Sequence, residues 1–497
     1  MILNLHDYRD KIRGCIIGKN IGANLGLPFQ WKRKLNDVTF YTDMQGPFLS
    51  SVDLDMQLLW LRALEDNGVH IGTPVLGEYF LSYASHSQSP AMADMRVGLM
   101  PPLCSMAGAS RDGNGAFVRS EIWAMIAPGC PEIAAVKAFQ DANIDHAAGE
   151  GLFAAMFISV IQSAAFIQDD VEALINIGLS YIPPECGVAR AVQTVLECHQ
   201  SQNTWMEARD QVLTHHRGHY ATWEGAGISQ RDWDYDLHDG KAGYDAPSNI
   251  GMIIIGLLYG GGDFARSVCT VVNCGEDTAS NAATVGAILG IIDGYELIPD
   301  DWLDPIGRKL TTRTIDAHNV KQIPETISEL VPRLMRLAKI MLLTYRPDVE
   351  ISNTHDTKVS ANELAGLPNT AMGEKITRNL YGPTYESGLI TCALDYESDA
   401  FIRSGGTAKI SFKLACKLKH DLILQMKWYL PGGFRLTPAA SGMIRCPGGG
   451  VETTSYVFEI VAEGRVEMIN RCVIEFTAPG RHTVALVPVV LLDGGLL

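Results

Sequence analysis

Two short runs of the sequence gather the residue types that do chemistry. Ser51-Val52-Asp53-Leu54-Asp55-Met56 and Glu276-Asp277-Thr278-Ala279-Ser280-Asn281 each precede a strongly apolar stretch. Acids at a helix start favour the positive end of its dipole, so capping alone would account for one acid in each run. Asp53 and Asp55 are two residues apart and project to different sides of a helix, which is more acidity than one cap requires. Asp277, Ser280 and Asn281 share a first turn, where oxygens can converge on a hard cation such as Mg²⁺. Without a metal, two such acids could work as proton donor and as base or nucleophile at a glycosidic bond, and the acids available for that are Asp53, Asp55, Glu150 and Asp277.

A second group of residues suits binding. The turn Gly113-Asn114-Gly115-Ala116 can offer backbone amides to a sugar or an anion. His146 and Glu150, further along, could supply a proton or a hydrogen bond, although taken alone a core histidine and a surface glutamate are the more ordinary readings. Gly14, Gly18, Gly22 and Gly26 recur every four residues and suit close approach of another backbone, while a phosphate-cradling loop would need a preceding strand that is absent.

The elements that must position these residues are helical. From Asp10 to about Arg346 apolar residues recur at three and four spacing, as in Met56–Leu64, Gly151–Phe166, Val171–Leu179, Ala282–Ile292 and Thr326–Leu343. Beyond Arg346 the chain turns polar and rich in turn residues, then alternates in short runs: Ile390–Ala393, Ala408–Leu414, Leu422–Tyr429, Thr453–Glu459, Arg465–Phe476 and Val484–Leu492. The expected organisation is an all-α orthogonal domain over 1–346, a linker over 347–383 and a small all-β sandwich over 384–497.

Composition narrows the function. With a net charge of −16 and no basic run, partners such as nucleic acid or an anionic membrane are not expected. The charged start of the chain does not read as a signal peptide, so a cytoplasmic protein is expected. Eleven scattered cysteines with no C-x-x-C pair signal neither a disulfide framework nor zinc.

Taken in order over roughly residues 10–345, the motifs resemble the ADP-ribosylglycohydrolase superfamily, including the dinitrogenase-reductase-activating glycohydrolases. Arg13 to Pro28 matches its opening glycine helix, Ser51 to Met56 part of its T-D-D-x-x-M segment, and Gly113 to Ala116 with Arg119 its G-N-G-A-x-x-R loop. His146 matches its following histidine, and Asp277-Thr278 the start of its closing D-T-D motif. Phrases such as His146-Ala-Ala-Gly149-Glu150-Gly151 and Ile182-Pro183-Pro184 look like a bacterial branch with an added C-terminal domain. The resemblance implies an all-α domain whose cleft holds two Mg²⁺ ions on the ribose of an ADP-ribosyl group, with carboxylates assisting departure of the leaving group.

Val52, Ala279 and Gln30 stand where that family places acids, and Ser51 replaces its threonine. The metal ligands left at matching positions are Ser51, Asp53, Asp277 and Ser280, with Asp55 and Glu276 nearby, so one Mg²⁺ or none is expected. The expected substrate-binding residues are Gly113, Asn114, Gly115, Ala116, His146 and Gln30. The leading expectation is a hydrolase cleaving an N- or O-glycosidic bond of an ADP-ribosyl or related sugar, a small molecule or a group attached to a protein. The alternatives are a catalytically eroded nucleotide- or sugar-binding protein and a glycosidase acting on another carbohydrate. The β-domain could hold carbohydrate, stabilise the chain or mediate homo-oligomerisation.

Overall fold

The structure, a computed structural model, describes residues 1–42, 52–84, 90–105, 111–216, 245–307, 309–316, 319–378, 380, 382–397, 400–453, 455–481 and 483–495. It forms two compact units, one of Met1–Met92 with Ser105–Thr377 and one of Ala93–Cys104 with Arg378–Leu497. The first is helical and the second built of strands, the helical domain and β-sandwich expected from the sequence.

The helix Leu5–Gly26 begins at Asn4, whose side-chain oxygen accepts the N–H groups of His6 and Asp7 at 2.7 and 3.2 Å. Its glycine face lies on the helix Thr278–Asp293, running the opposite way. A Cβ on Gly14, Gly18, Gly22 or Gly26 would stand 2.0, 2.0, 1.9 or 2.2 Å from the carbonyl oxygens of Gly290, Gly286, Ala282 and Thr278 respectively. Gly286 and Gly290 return the constraint, since a Cβ there would be 2.1 Å from the carbonyl oxygens of Gly18 and Gly14. The hydroxyl of Thr278 donates to the Gly26 carbonyl at 2.7 Å and fastens the end of the pair where the acids lie.

Around this pair stand helices that are apolar on nearly every side. Gly151 to Ala164 of the helix Glu150–Ala164 are all buried, as is almost all of Ala246–Gly260. Among the described residues no helix is long and apolar enough to cross a membrane.

Most of the stretch expected to be a linker, 347–383, is instead part of the helical unit, which runs to Thr377. Glu350–Ser352 pairs in parallel with Ile2–Asn4, the N–H of Asn369 donates to the Ser180 hydroxyl at 2.9 Å, and Gly373 lies against the Tyr181 backbone. Each partner is distant in sequence, so the local polar composition carries no sign of it.

In the second unit two five-stranded sheets form. One orders Thr384–Glu386, Ile390–Asp395, Thr407–Cys416, Tyr456–Ala462 and Phe434–Thr437; the other orders Phe401–Ile402, Thr483–Asp493, Ile469–Thr477, Leu422–Tyr429 and Ser441–Cys446. Phe412 and Phe458 of the first sheet meet Phe476 and Trp428 of the second, with ring centroids 5.5 Å apart for Phe412–Phe476 and 5.2 Å for Trp428–Phe458. The sheets therefore bury one face each against the other.

Gly18→Ala or Gly286→Ala should cost roughly 3 kcal/mol or more, because the new methyl meets backbone that cannot move aside. Chemical denaturation of the purified variants checks this, and a loss below about 1 kcal/mol would show that the helices can part freely.

Candidate active site

The glycine contact sets the end of the opening helix beside the start of Thr278–Asp293. The chain reaches that start through two left-handed residues, Gly275 (φ +79) and Glu276 (φ +66). A Cβ on Gly275 would stand 2.6 Å from the Lys34 carbonyl oxygen, so glycine is required there on both counts. Glu276 holds its unfavourable backbone through partners on 31–33: its N–H donates to the Lys32 carbonyl and its carbonyl accepts the Trp31 N–H, both at 3.0 Å. Its fully buried carboxylate takes both arms of Arg33, at 2.6 and 3.2 Å. Glu276 is thus tied to Arg33 and not placed as a substitute metal ligand.

Asp277 follows at the N-cap position. Gln30 Nε2 donates to its Oδ1 at 2.9 Å and Asn114 Nδ2 to its Oδ2 at 2.5 Å, so three segments distant in sequence meet on one carboxylate. Its N–H is held in turn by Asn249 Oδ1 at 3.3 Å, an oxygen that also accepts from Asn281 at 2.8 Å. Burial raises the Asp277 carboxyl above the ordinary carboxylate range, even though hydrogen bonds from Gln30, Ser280 and Asn114 oppose the rise.

Asp53, in the first turn of the helix Val52–Asn67, is the second acid of the cluster. Burial pushes its carboxyl up to about 7; the Lys19 charge opposes this, and the charges of Asp277 and Glu121 add to it. Lys19 and Glu121 were not legible as site residues. Lys19 Nζ donates to Glu121 Oε1 at 2.7 Å, and Glu121 Oε2 accepts Gln57 Nε2 at 2.7 Å.

The loop carrying Asn114 is tied down on both sides. Gly113 bridges to Asp245, and the N–H of Ala246 donates to the Asp112 carbonyl at 2.9 Å. Ala116 is buried. Gly151 packs beneath, where a Cβ would meet the Gly113 carbonyl oxygen at 2.4 Å and the His146 ring at 2.3 Å. His146 is thereby placed under the loop, with Nδ1 2.7 Å from Asp145 Oδ1, while its buried Nε2 has no hydrogen-bond partner among the described residues. Asp145 would be raised by burial, but Arg119 and His146 together hold it well below the usual carboxylate range. Arg119 also binds Asp141 at 2.9 Å, and Asp141 takes the indole N–H groups of Trp60 and Trp123 at 3.0 and 2.9 Å. Asp245, another acid the sequence did not single out, is raised by burial to about 6.

Two of the expected catalytic acids, Asp55 and Glu150, make their hydrogen bonds to other segments. Asp55 Oδ2 accepts the N–H groups of Arg313 and Thr314 at 2.7 Å and the Thr314 hydroxyl at 2.9 Å. Glu150 accepts the N–H groups of Gly187 and Val188 at 2.8 and 2.9 Å, capping the helix Gly187–Gln200. Backbone donors of another segment occupy both oxygens of Glu150 and one of Asp55, whose buried Oδ1 has no hydrogen-bond partner among the described residues. Ser51 lies outside the described residues.

The donors among the described residues do not suit a pair of Mg²⁺ ions. Among the described residues no three acids, histidines or cysteines converge as a metal site, both Asp277 oxygens already accept amide N–H groups, and a lysine ammonium stands in the same cluster.

A family model for ADP-ribosylglycohydrolase matches residues 4–339, the region that holds the whole cluster. The chain belongs to the ADP-ribosylglycohydrolase family. No curated protein matches it. Among solved structures, one described as an "ADP-ribosylglycohydrolase-related protein complex" aligns at 16% identity with a TM-score of 0.43, covering 68% of this chain and 98% of that one. As an ADP-ribosylglycohydrolase family member the chain is a hydrolase of that family. Gln30, one of the positions where resemblance to the family led an acid to be expected, hydrogen-bonds Asp277 directly.

Asp55→Ala and Glu150→Gln should lower stability by about 1–2 kcal/mol, through a loosened 313–314 segment and a weakened helix start, while leaving turnover per folded molecule within a few-fold of the parent. Denaturation curves with rates normalised to folded protein separate the two effects; a hundredfold loss of turnover in a folded variant would return that acid to the chemistry.

Proposed function

We propose that this chain hydrolyses an N- or O-glycosidic bond of an ADP-ribosyl or related sugar substrate, free or attached to a protein, with Asp53 and Asp277 as the working acids. The observation that carries the reading is a pair of buried carboxyls that both lie above the ordinary range, Asp53 pushed up to about 7 and Asp277 raised as well but supplied with amide and hydroxyl donors that oppose the rise. A carboxyl near 7 still holds its proton in much of the protein at neutral pH. It can pass that proton to the departing atom as the bond to the anomeric carbon breaks. Asp277 in its ionised form, which the Gln30, Ser280 and Asn114 donors favour, can take a proton from the water that attacks that carbon, and solvent exchange then returns the two acids to their starting states. Asn114 fixes Asp277, and His146 supports the Asn114 loop from below.

A single Mg²⁺ on Asp53, Asp277 and Ser280 would have to compete with the Gln30 and Asn114 amides for Asp277, and the proton transfers described do not require it.

Two measurements test the reading. Because Asp53 must be protonated to act, turnover on an ADP-ribosylated protein should fall as pH rises through about 7. Asp53→Asn and Asp277→Ala should each lower kcat by about 10²–10⁴-fold while remaining folded. Stability should show the matching sign: the folded state keeps the Asp53 proton that the unfolded chain releases near pH 4, so stability is lost as pH rises from about 4 to about 7. Asp53→Asn removes that loss and should be more stable than the parent at pH 8 by about 2 kcal/mol. Full activity in either variant would overturn the assignment. Tight binding of ADP-ribose with no turnover on any such substrate would point instead to a binding protein.

A further inference from the structure

Lys19 lies in the opening helix between Gly18, which touches the partner helix backbone, and Asn20. It is 2% exposed, and its ammonium donates to the Val118 carbonyl at 2.6 Å as well as to Glu121, which is 0% exposed. Withdrawing a lysine and a glutamate from water is expensive, and an apolar pair of similar volume often serves stability as well. Their retention calls for something beyond each other. Glu121 leads through its second oxygen to Gln57, one helical turn from Asp53 and on the same face. The cationic side chains whose charges reach Asp53 include Lys19 and Arg119, and Arg119 is already bound by two carboxylates, Asp141 and Asp145. Lys19 has one carboxylate partner of its own, Glu121, and its charge also reaches Asp53.

We propose that Lys19 is a positioning residue of the active site, a fixed ammonium that offsets the charge of the Asp53 carboxyl, the role in which resemblance to the family would put divalent cations. This rests on the hydrolase reading for its catalytic consequence but not for its electrostatic one. Glu121 and Val118 anchor the ammonium, so its charge is present without any ion being recruited. Val52 and Ala279, where resemblance to the family would put acids, then fit the same arrangement, since a single positive charge needs fewer anions around it than two divalent ions.

The test removes the charge in two ways. Lys19→Gln keeps a donor for Val118 and loses the charge. The double variant Lys19→Met/Glu121→Gln removes the buried pair together and guards against simple misfolding. Wild-type protein stripped with EDTA should show an unchanged Tm on adding millimolar MgCl₂, whereas Lys19→Gln, left with uncompensated carboxyls, should show a saturable Mg²⁺-dependent rise in Tm. This arm needs no substrate, so it stands even if no turnover is found. With an active wild type, EDTA should leave the rate unchanged and the double variant should lose about 10²-fold while recovering wild-type stability. A saturable Mg²⁺ response in the wild type, or a double variant with wild-type turnover, would overturn the proposal. The second result would reduce Lys19 to the partner of Glu121.

Discussion

Helix axes ordinarily stay about 8–10 Å apart because side chains lie between them. Where Gly14, Gly18, Gly22 and Gly26 face Gly290, Gly286, Ala282 and Thr278, little lies between, and the two backbones touch along the length of the pair. That closeness fixes more than a packing distance. The glycines repeat every four residues on one helix while their partners step back by the same interval on the other, so the register has one good solution. Shifting it by one residue would drive Cβ atoms into carbonyl oxygens. The acidic start of one helix is consequently held beside the end of the other, and Gln30 can reach Asp277.

From that fixed edge the site is assembled by segments that have little else in common. The strained backbone at Glu276 turns Asp277 toward Gln30 and Asn114, with Arg33 holding the turn. The Asn114 loop rests on Gly151 and on a buried chain of charge from His146 through Asp145 and Arg119 to Asp141. A second buried chain, Lys19 to Glu121 to Gln57, runs to the helix that carries Asp53. His146 Nε2 apart, the charged members of each chain are held by hydrogen bonds, which is the condition for charges to persist in an interior.

Much of this was legible in the sequence, and the limits have physical causes. Long helices and strands show their periodicity, and Val171–Leu179 and Leu422–Tyr429 fall where the pattern puts them. Phe401–Ile402 is too short to alternate, and Ser441–Cys446 is exposed over most of its length, so neither announces itself. Asp277, Asn114 and Gln30 were readable because motif order brings them together. Lys19 and Glu121 were not, since a lysine among glycines or a glutamate at a helix start ordinarily faces water. Asp55 and Glu150 were chosen by residue type, and the backbone amides that occupy them belong to segments no local pattern links to them.

The strand-built unit includes Ala93–Cys104 as well as the chain from Arg378 onward, and Arg471 Nη2 donates to the Val97 carbonyl at 3.1 Å within it. The polypeptide therefore leaves the helical unit, contributes a short piece elsewhere and returns long before the strands of the sandwich exist. During synthesis that early piece must wait for some three hundred further residues before its partners emerge. Residue 378 is consequently no clean place to divide the chain, because a cut there strands a segment that belongs on the other side.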